Sequence, residues 1–328
     1  MKQNRPLSRL RIWQFRLFSI SLSLLLFVII LLLLEGLIRL IYGDKINVQY
    51  TTRNLYQDSL FSAQTHGWKA GEIGSCNGKG VKINSYGLRG PALDLSASEK
   101  KLLLLGDSVL FGPGLEYQQT ISGILMDSTD YIIINTAVIG YNTSDYIEVL
   151  KVWLSKTNIH HVMVFLCLND VYRYNTVVKS SGFLKVLLDY LRTNSKLYMF
   201  LKNLISDRSK FYFLHDIVYF DESDVSYQEA MKDFIRMRDL CQEKNIPFDV
   251  VILPYEYQIR THHIKTNWTP QRMLADFFTK QRIGFLVPDS SIFNPAHSRS
   301  YYLYADGIHL SSKGHQVLAK SVMNYLTR

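Results

Sequence analysis

Two short stretches of the sequence contain the side chains that nucleophilic catalysis needs. The first, residues 102–108, reads LLLLGDS and ends at Ser108. The second, near the C-terminus, reads DGIH and puts Asp306 three residues before His309. A serine hydroxyl becomes an effective nucleophile when a base accepts its proton, and histidine serves as that base when a carboxylate orients its ring. The sequence therefore predicts Ser108 as nucleophile, His309 as base and Asp306 as the orienting acid.

Attack on an acyl group also needs hydrogen-bond donors for the charge that develops on the substrate oxygen. The candidates are the backbone N–H of Ser108, the backbone N–H of Gly140 and the side-chain amide of Asn169. Each fragment taken alone is also an ordinary turn, and Gly-Asp-Ser is common where an aspartate such as Asp107 caps a helix. The catalytic interpretation depends on all the fragments meeting at one place.

Alternating strand and helix patterns predict that they do meet. Five short apolar runs have the character of strands buried on both faces of a parallel sheet: residues 101–105, 131–135, 161–167, 248–253 and 284–287. Between and after them, the spacing of apolar residues predicts helices over 144–156 (N-cap Thr143 or Ser144), 231–245 and from Ser311 or Ser312 to the C-terminus. This alternation favours an open α/β sheet with helices on both sides.

Ligands bind such sheets at the carboxyl ends of the strands. Ser108, Gly140 and Asn169 follow three different predicted strands, so we expect them at one edge of the sheet. Residues 171–227 interrupt the alternation and predict two short helices, around 182–191 and 196–206. This insertion is either a lid over the active edge or a peripheral subdomain, and the sequence favours neither.

The N-terminus predicts a membrane anchor. Residues 17–34 contain no charged side chain and are long enough to span a bilayer, and five basic residues precede them: Lys2, Arg5, Arg9, Arg11 and Arg16. By the positive-inside rule, the N-terminus stays in the cytoplasm and the rest is exported, to the periplasm or the cell surface. A cleaved signal peptide is the alternative, but the run is long for one and residues 35–42 lack a small-x-small cleavage site.

These patterns divide the chain into a basic cytoplasmic leader (1–16), a transmembrane signal anchor (17–42), a stalk and N-terminal extension (43–99) and a catalytic domain (100–328). The net charge of +9 includes the basic leader. No block of five or six like charges follows it, so a nucleic-acid partner is not indicated. The three cysteines, Cys76, Cys167 and Cys241, form neither a disulfide framework nor a zinc-ligand pattern, and we expect no metal or other cofactor. The oligomeric state is not indicated.

Taken in order, these fragments resemble the SGNH, or GDSL-type, hydrolase superfamily, whose four blocks contribute Ser, Gly, Asn and His. The blocks correspond to residues 106–108, Gly140, 169–170 and 306–309. The resemblance covers about residues 100–328 and implies a flavodoxin-like three-layer α/β/α fold, with a mostly parallel sheet and ester chemistry that needs no metal. One departure is Cys167, which stands where the third block usually has glycine, and it puts the presentation of Asn169 in doubt.

The extension resembles an element of membrane-anchored bacterial members of the superfamily. Residues 84–90 read NSYGLRG and match their Asn-Ser-x-Gly-x-Arg-Gly pattern ahead of the first block. Arg89 is therefore a candidate pocket residue, together with Asp107 and Asp170. The alternative is that Arg89 is structural and pairs with backbone carbonyl groups.

The sequence as a whole predicts an exported, single-pass serine esterase that acts on carboxylic esters through an acyl-enzyme. One alternative is an acyltransferase that passes the acyl group to an envelope polysaccharide. The other is a catalytically silent module that binds envelope glycans. The expected partners are an ester or acylated glycan as substrate and the membrane that holds the N-terminal helix.

Overall fold

The computed structural model of the chain describes residues 9–43, 46, 55–57, 66–172 and 182–327. The helices are α1 (Arg9–Tyr42), α2 (Ser108–Phe111), α3 (Ile121–Ser128), α4 (Thr143–Lys156), α5 (Phe183–Asn194), α6 (Lys196–Ile205), α7 (Arg208–Asp216), α8 (Val225–Gln242), α9 (Glu256–Arg260), α10 (Thr269–Gln281) and α11 (Ser312–Leu326). The strands are β1 (Tyr56–Gln57), β2 (Gly67–Trp68), β3 (Ile73–Cys76), β4 (Lys79–Lys82), β5 (Lys101–Gly106), β6 (Ile132–Asn135), β7 (His161–Leu166), β8 (Phe248–Ile252) and β9 (Gly284–Leu286).

Parts of four predicted segments lie outside the described residues. They are the start of the leader (1–8), stretches of the extension (44–45, 47–54 and 58–65), one end of the insertion (173–181) and the last residue of the catalytic domain (328). The domain boundaries drawn from the sequence therefore stay predictions.

The centre of the fold is a five-stranded parallel sheet in the order β6-β5-β7-β8-β9. All five strands predicted from the sequence are present. The predicted α/β fold class is confirmed: the chain forms a parallel sheet with helices, and one apolar N-terminal helix precedes it in the sequence. Each residue of β5 is buried, as expected for a leucine run covered on both faces.

Three layers follow from the connections. The chain crosses from β5 to β6 through α3 in one direction, and from β6 to β7 through α4 in the other. Because such crossovers are right-handed, α3 and α4 lie on opposite faces of the sheet. Helix α11 packs against α3, and α8 packs against α4. The strand order reverses at β5, which is the position where α/β sheets bind ligands.

The N-cap of α4 differs from the prediction. Asn142 caps this helix, because its side-chain Oδ1 accepts the N–H of Ser144 at 2.9 Å. The prediction of Thr143 or Ser144 was wrong because Thr143 is buried and donates its hydroxyl to Asp233 of α8, at 2.9 Å. At α11, the predicted Ser311 is the cap.

The extension packs on the sheet domain through its described residues. Trp68 of β2 is fully buried, stacks near the ring of Phe111, and donates its indole N–H to Ala137 O at 2.9 Å. Strands β3 and β4 pair as an antiparallel hairpin next to it. The buried apolar residues of this stretch, Trp68, Cys76, Val81, Ile83 and Leu88, are thus part of the hydrophobic core.

The insertion contains the two predicted helices, α5 and α6, and a third helix, α7, that was not predicted. Helix α6 packs against the end of α1, whereas α7 packs against α9, next to β8. The insertion therefore reaches in two directions, toward the N-terminal helix and toward the edge of the sheet.

Within the part of the chain that the structure describes, one helix is long and apolar enough to cross a membrane. It covers 30 residues, Trp13–Tyr42, and the protein buries none of its most apolar window. Length and composition of this kind fit an anchor and a signal sequence alike.

Arg89 was considered as a pocket residue or as a structural residue, and its contacts are those of a structural residue. Its buried guanidinium donates to Phe111 O at 2.5 Å, to Gly112 O at 2.7 Å and to Leu115 O, and it lies over the ring of Phe111. Arg89 thus holds the loop that follows α2 and does not line an open pocket.

We expect Arg89→Ala to lower the free energy of unfolding by about 2–4 kcal/mol, because buried carbonyl groups lose their donors and a cavity forms. Lys82→Ala, an exposed change on the neighbouring β4, is the control and should have little effect. Thermal unfolding of the full chain in detergent measures both. Equal unfolding temperatures for the two variants would contradict this role of Arg89.

Candidate active site

Ser108 lies where β5 turns into α2. The preceding Asp107 caps α2, since its Oδ1 accepts the N–H of Val109 at 2.8 Å. Gly106 allows the tight turn, because a Cβ on this residue would approach the Leu110 side chain to 2.8 Å. The strand end and the cap together fix the Ser108 hydroxyl at the carboxyl edge of the sheet.

The structure brings together the three residues of the predicted catalytic triad. His309 Nε2 lies 2.9 Å from Ser108 Oγ, and His309 Nδ1 lies 2.9 Å from Asp306 Oδ2. The serine and the histidine are 201 positions apart in the chain. This is the geometry in which an imidazole can take a proton from a serine hydroxyl.

The loop before α11 holds the acid and the base in place. Asp306 Oδ1 accepts the N–H groups of Ile308 at 3.0 Å and His309 at 2.9 Å, so the carboxylate closes its own turn. Gly307 has φ +85°, and a Cβ there would collide with Ser209 of α7. A glycine is required at this position by both the backbone conformation and the packing.

The same loop is tied to the elements around it. The N–H of Glu256, the first residue of α9, donates to Gly307 O at 2.9 Å. Tyr302 Oη donates to Pro254 O at 2.8 Å, just after β8. The acid and the base are therefore fixed against β8 and α9 and not only to α11.

The carboxylate and the imidazole shift each other's ionisation. Burial raises the pKa of Asp306, but the nearby charge of His309 and the hydrogen bonds that it donates outweigh this and hold the pKa well below its usual range. Burial lowers the pKa of His309, but the attraction of Asp306 outweighs it and raises the pKa above the ordinary value. The protonated form of His309 therefore persists to higher pH than that of an ordinary imidazole, and catalysis needs the neutral form.

The serine hydroxyl has a second acceptor, Asp107 Oδ2, at 3.0 Å. When His309 is protonated, its Nε2–H donates to Ser108 Oγ and the hydroxyl is left to donate to Asp107. When His309 is neutral, the hydroxyl donates to Nε2 and is ready for deprotonation. Asp107 is buried, and burial raises its pKa.

Two of the three predicted oxyanion donors follow the strands that flank β5. Gly140 follows β6 in a turn closed by Tyr141 N–H to Val138 O at 3.2 Å, with φ +88°. It is exposed, and no atom lies near the position of a Cβ. Asn169 follows β7 in a short 3₁₀ turn. Since the strand order is β6-β5-β7, these two residues come from either side of Ser108.

Asp170 is structural and does not line the pocket. Its fully buried carboxylate accepts the N–H of Cys167 and the hydroxyl of Tyr146, both at 2.8 Å. This contact fixes the turn that carries Asn169. The backbone of Cys167 is extended, with φ −89° and ψ 153°, a conformation that any residue adopts. The departure from glycine at this position therefore does not disturb the turn.

Two residues near Asn169 were not predicted from the sequence. Tyr255 contacts Asn169 directly, and Asp216 contacts it through Tyr255. Tyr255 Oη lies 3.3 Å from Asn169 Oδ1 and 2.5 Å from Asp216 Oδ2. Asp216 closes α7, and its Oδ1 lies 2.8 Å from His215 Nδ1. Burial raises the pKa of the Asp216 carboxyl. Because the oxygen of the Asn169 amide faces Tyr255, its NH₂ group is left for the site. The available signal was that Tyr255 also follows a strand end, that of β8.

The raised pKa of His309 predicts a pH dependence. Ester hydrolysis should fall on the acid side as His309 becomes protonated, with a midpoint above the ordinary value for imidazole. In Asp306→Asn, the attraction that raises this pKa is gone, so the acid limb should move to lower pH while kcat falls by about 10³–10⁴. A pH–rate profile with p-nitrophenyl acetate measures both effects. An acid limb that stayed in place in the variant would contradict the assignment.

The contact between Tyr255 and Asn169 predicts a loss of rate without a loss of binding. We expect Tyr255→Phe to lower kcat about tenfold, the worth of one hydrogen bond, and to leave KM nearly unchanged. Tyr257→Phe, two residues along α9, is the matched control and should keep the parental kcat. Steady-state kinetics decide, and equal kcat values for the two variants would show that the Tyr255 hydroxyl does not position Asn169.

Three solved structures are similar to the chain at low identity. A lipolytic protein of the G-D-S-L family from Veillonella parvula is 13% identical, over 70% of this chain and 99% of that one, with a TM-score of 0.42. A lipase/acylhydrolase from Enterococcus faecalis is 11% identical, over 69% and 95%, with 0.42. The psychrotrophic esterase EstA from Pseudoalteromonas sp. is 12% identical, over 70% and 100%, with 0.39. No curated protein sequence matches the chain.

A family model matches more than half of the chain. The model of the GDSL-like lipase/acylhydrolase family matches residues 102–322. This range begins in β5 and ends in α11, so it includes the serine, both flanking turns and the loop with the aspartate and the histidine. The chain therefore belongs to the family of GDSL-like lipases and acylhydrolases, and it is an SGNH-type ester hydrolase.

Proposed function

We propose that this protein is an exported, membrane-anchored serine esterase that hydrolyses carboxylic esters through an acyl-enzyme. The observation that carries the proposal is the hydrogen-bonded series from Asp306 through His309 to Ser108, with 2.9 Å at each side-chain contact. Family membership gives the reaction class, and the geometry of these three side chains supports the proposed mechanism.

The reaction begins when Ser108 Oγ attacks the ester carbonyl and His309 takes its proton. Asp306 keeps Nδ1 protonated, so that Nε2 is the acceptor, and stabilises the imidazolium. The N–H groups of Ser108 and Gly140 and the amide NH₂ of Asn169 bind the oxyanion. His309 then protonates the departing alkoxide, which leaves as the alcohol, and an acyl-enzyme remains on Ser108.

Hydrolysis of the acyl-enzyme repeats these steps with water. His309 takes a proton from water, the hydroxide adds to the acyl carbon, and collapse of the second intermediate returns the proton to Ser108 Oγ. An acyltransferase would share every step up to this point and differ in using a sugar hydroxyl as acceptor. We propose water as the acceptor.

Export and anchoring rest on α1. Helix α1 is uncharged over 17–34, and five basic residues precede this stretch, whereas Arg39 is the one basic residue that follows it within the helix. This asymmetry favours a cytoplasmic N-terminus and a catalytic domain on the other side of the membrane. The protein then acts on esters that are accessible from the periplasm or the cell surface.

A fluorophosphonate probe tests the nucleophile. We expect the full-length parent to be labelled, Ser108→Ala to lose all labelling, and the control Ser98→Ala, an exposed serine ahead of β5, to be labelled like the parent. Fluorescence of the protein after gel separation is the readout. An unlabelled parent, or labelling that survives in Ser108→Ala, would contradict the proposed role of the serine.

The oxyanion assignment has its own test. Asn169→Ala should reduce turnover of p-nitrophenyl acetate about a hundredfold or more, the usual effect of losing one oxyanion donor. Its unfolding temperature should stay close to the parental value. Hydrolysis at the parental rate would remove Asn169 from the oxyanion site.

A further inference from the structure

The insertion exposes much apolar surface. Outside α1, fourteen large apolar side chains of the described residues are exposed, and eleven of them lie between residues 183 and 218. Soluble domains rarely concentrate exposed apolar side chains in this way unless another surface covers them. The insertion is thus the part of the described domain whose apolar surface most requires another surface to cover it.

Helix α5 is amphipathic, and none of its residues is buried in the described chain. Its polar side carries Lys185, Asp189 and Arg192, which form ion pairs of 3.0 and 3.1 Å. On the opposite side, Phe183 is 85% exposed and Tyr190 is 63% exposed. Such a helix, with basic residues on one side and large apolar residues on the other, is typical of one that lies in a membrane interface.

The position of α5 is fixed by the N-terminal helix. Glu35 of α1 accepts hydrogen bonds from the first N–H groups of α6, from Lys196 at 3.0 Å and Leu197 at 2.8 Å. One turn further along α1, Arg39 donates to the carbonyl of Asn194, the last residue of α5, at 2.6 Å. The junction of α5 and α6 is therefore attached to α1 just after its uncharged stretch ends, where a spanning helix reaches the lipid headgroups.

The charge of the insertion suits an anionic surface. Residues 182–216 contain six lysines and arginines, three aspartates and no glutamate. Basic side chains close to a spanning helix are attracted to anionic lipid headgroups. Exposed apolar groups, a net positive charge and attachment to α1 thus coincide in one segment.

The catalytic loop is joined to this region. Tyr304, two residues before Asp306, packs in a small apolar cluster with Ile38 of α1 and with Leu197 and Met199 of α6. The loop that holds the acid and the base therefore shares an apolar cluster with the end of the N-terminal helix. A bilayer around α1 would lie near this loop.

We propose that α5, with the exposed sides of α6 and α7, rests in the headgroup layer of the bilayer that α1 spans, and that the active site takes its ester from this layer. The occupant of the apolar surface is anionic lipid, and the substrate class is an amphiphilic ester whose acyl chain stays in the membrane. The inference rests on the anchoring and the esterase activity proposed above.

Spin labels on opposite sides of α5 test the contact. The full chain carries Leu187→Cys or, as matched control, Lys185→Cys, in vesicles of phosphatidylethanolamine and phosphatidylglycerol. The native cysteines are buried and should not react. We expect the label at 187 to be accessible to oxygen and shielded from a water-soluble nickel chelate, and the label at 185 to show the reverse.

Two results would overturn the proposal. The first is equal access of the nickel chelate to both labels, which would place α5 in water. The second is spin–spin broadening at 187 that disappears on dilution with unlabelled protein, which would show a second copy of the chain as the occupant.

Kinetics separate this inference from the proposed function. Leu187→Glu should hydrolyse soluble p-nitrophenyl acetate like the parent, but should hydrolyse a long-chain ester embedded in the vesicles about tenfold more slowly, since a charge on this side weakens the membrane contact. Leu187→Met is the control and should be parental with both esters. If Leu187→Glu is parental with both, the inference fails. If the parent hydrolyses neither, the proposed function fails.

Discussion

The hydrogen bond between His309 and Ser108 is the contact on which the function depends, because it joins two parts of the chain that no local element connects. The serine is fixed by the turn from β5 into α2, and the histidine by a loop that Asp306 closes through its own carboxylate. Glu256 and Tyr302 tie this loop to the end of β8. A parallel sheet provides what the reaction needs, since its strand ends share one edge.

Residues outside the triad also lie at the carboxyl edge of the sheet. The ends of β6, β5, β7 and β8 contribute Gly140, Ser108, Asn169 and Tyr255 in turn, in the spatial order of the strands. Tyr255 also contacts Asp216, so the turn that carries Asn169 is linked to the insertion. The insertion is thus linked to Asn169 of the candidate site through α7, and it packs against the N-terminal helix through α6. We infer that it determines which esters reach the serine.

Much of the site could be predicted, because its fragments are local. Gly-Asp-Ser follows a short leucine run whose pattern favours a buried strand, and Asp306 and His309 are close enough in sequence to share one turn. The N-cap of α4 could not be identified from the sequence, because several adjacent residues are polar. The tertiary contact of Thr143 with Asp233 determines which of them caps the helix. Tyr255 and Asp216 are 39 positions apart and meet only in the folded chain. The doubt over Cys167 came from a family pattern, and an extended backbone removes it.

A structure of the full chain inactivated by a phosphonate ester would show which residue is the nucleophile and which groups bind the oxyanion. We expect phosphorus bonded to Ser108 Oγ, with His309 Nε2 still within hydrogen-bond reach and the phosphoryl oxygen about 3 Å from Asn169 Nδ2 and the Gly140 N–H. Phosphorus on any other residue, or a phosphoryl oxygen that points into solvent away from both donors, would contradict this expectation.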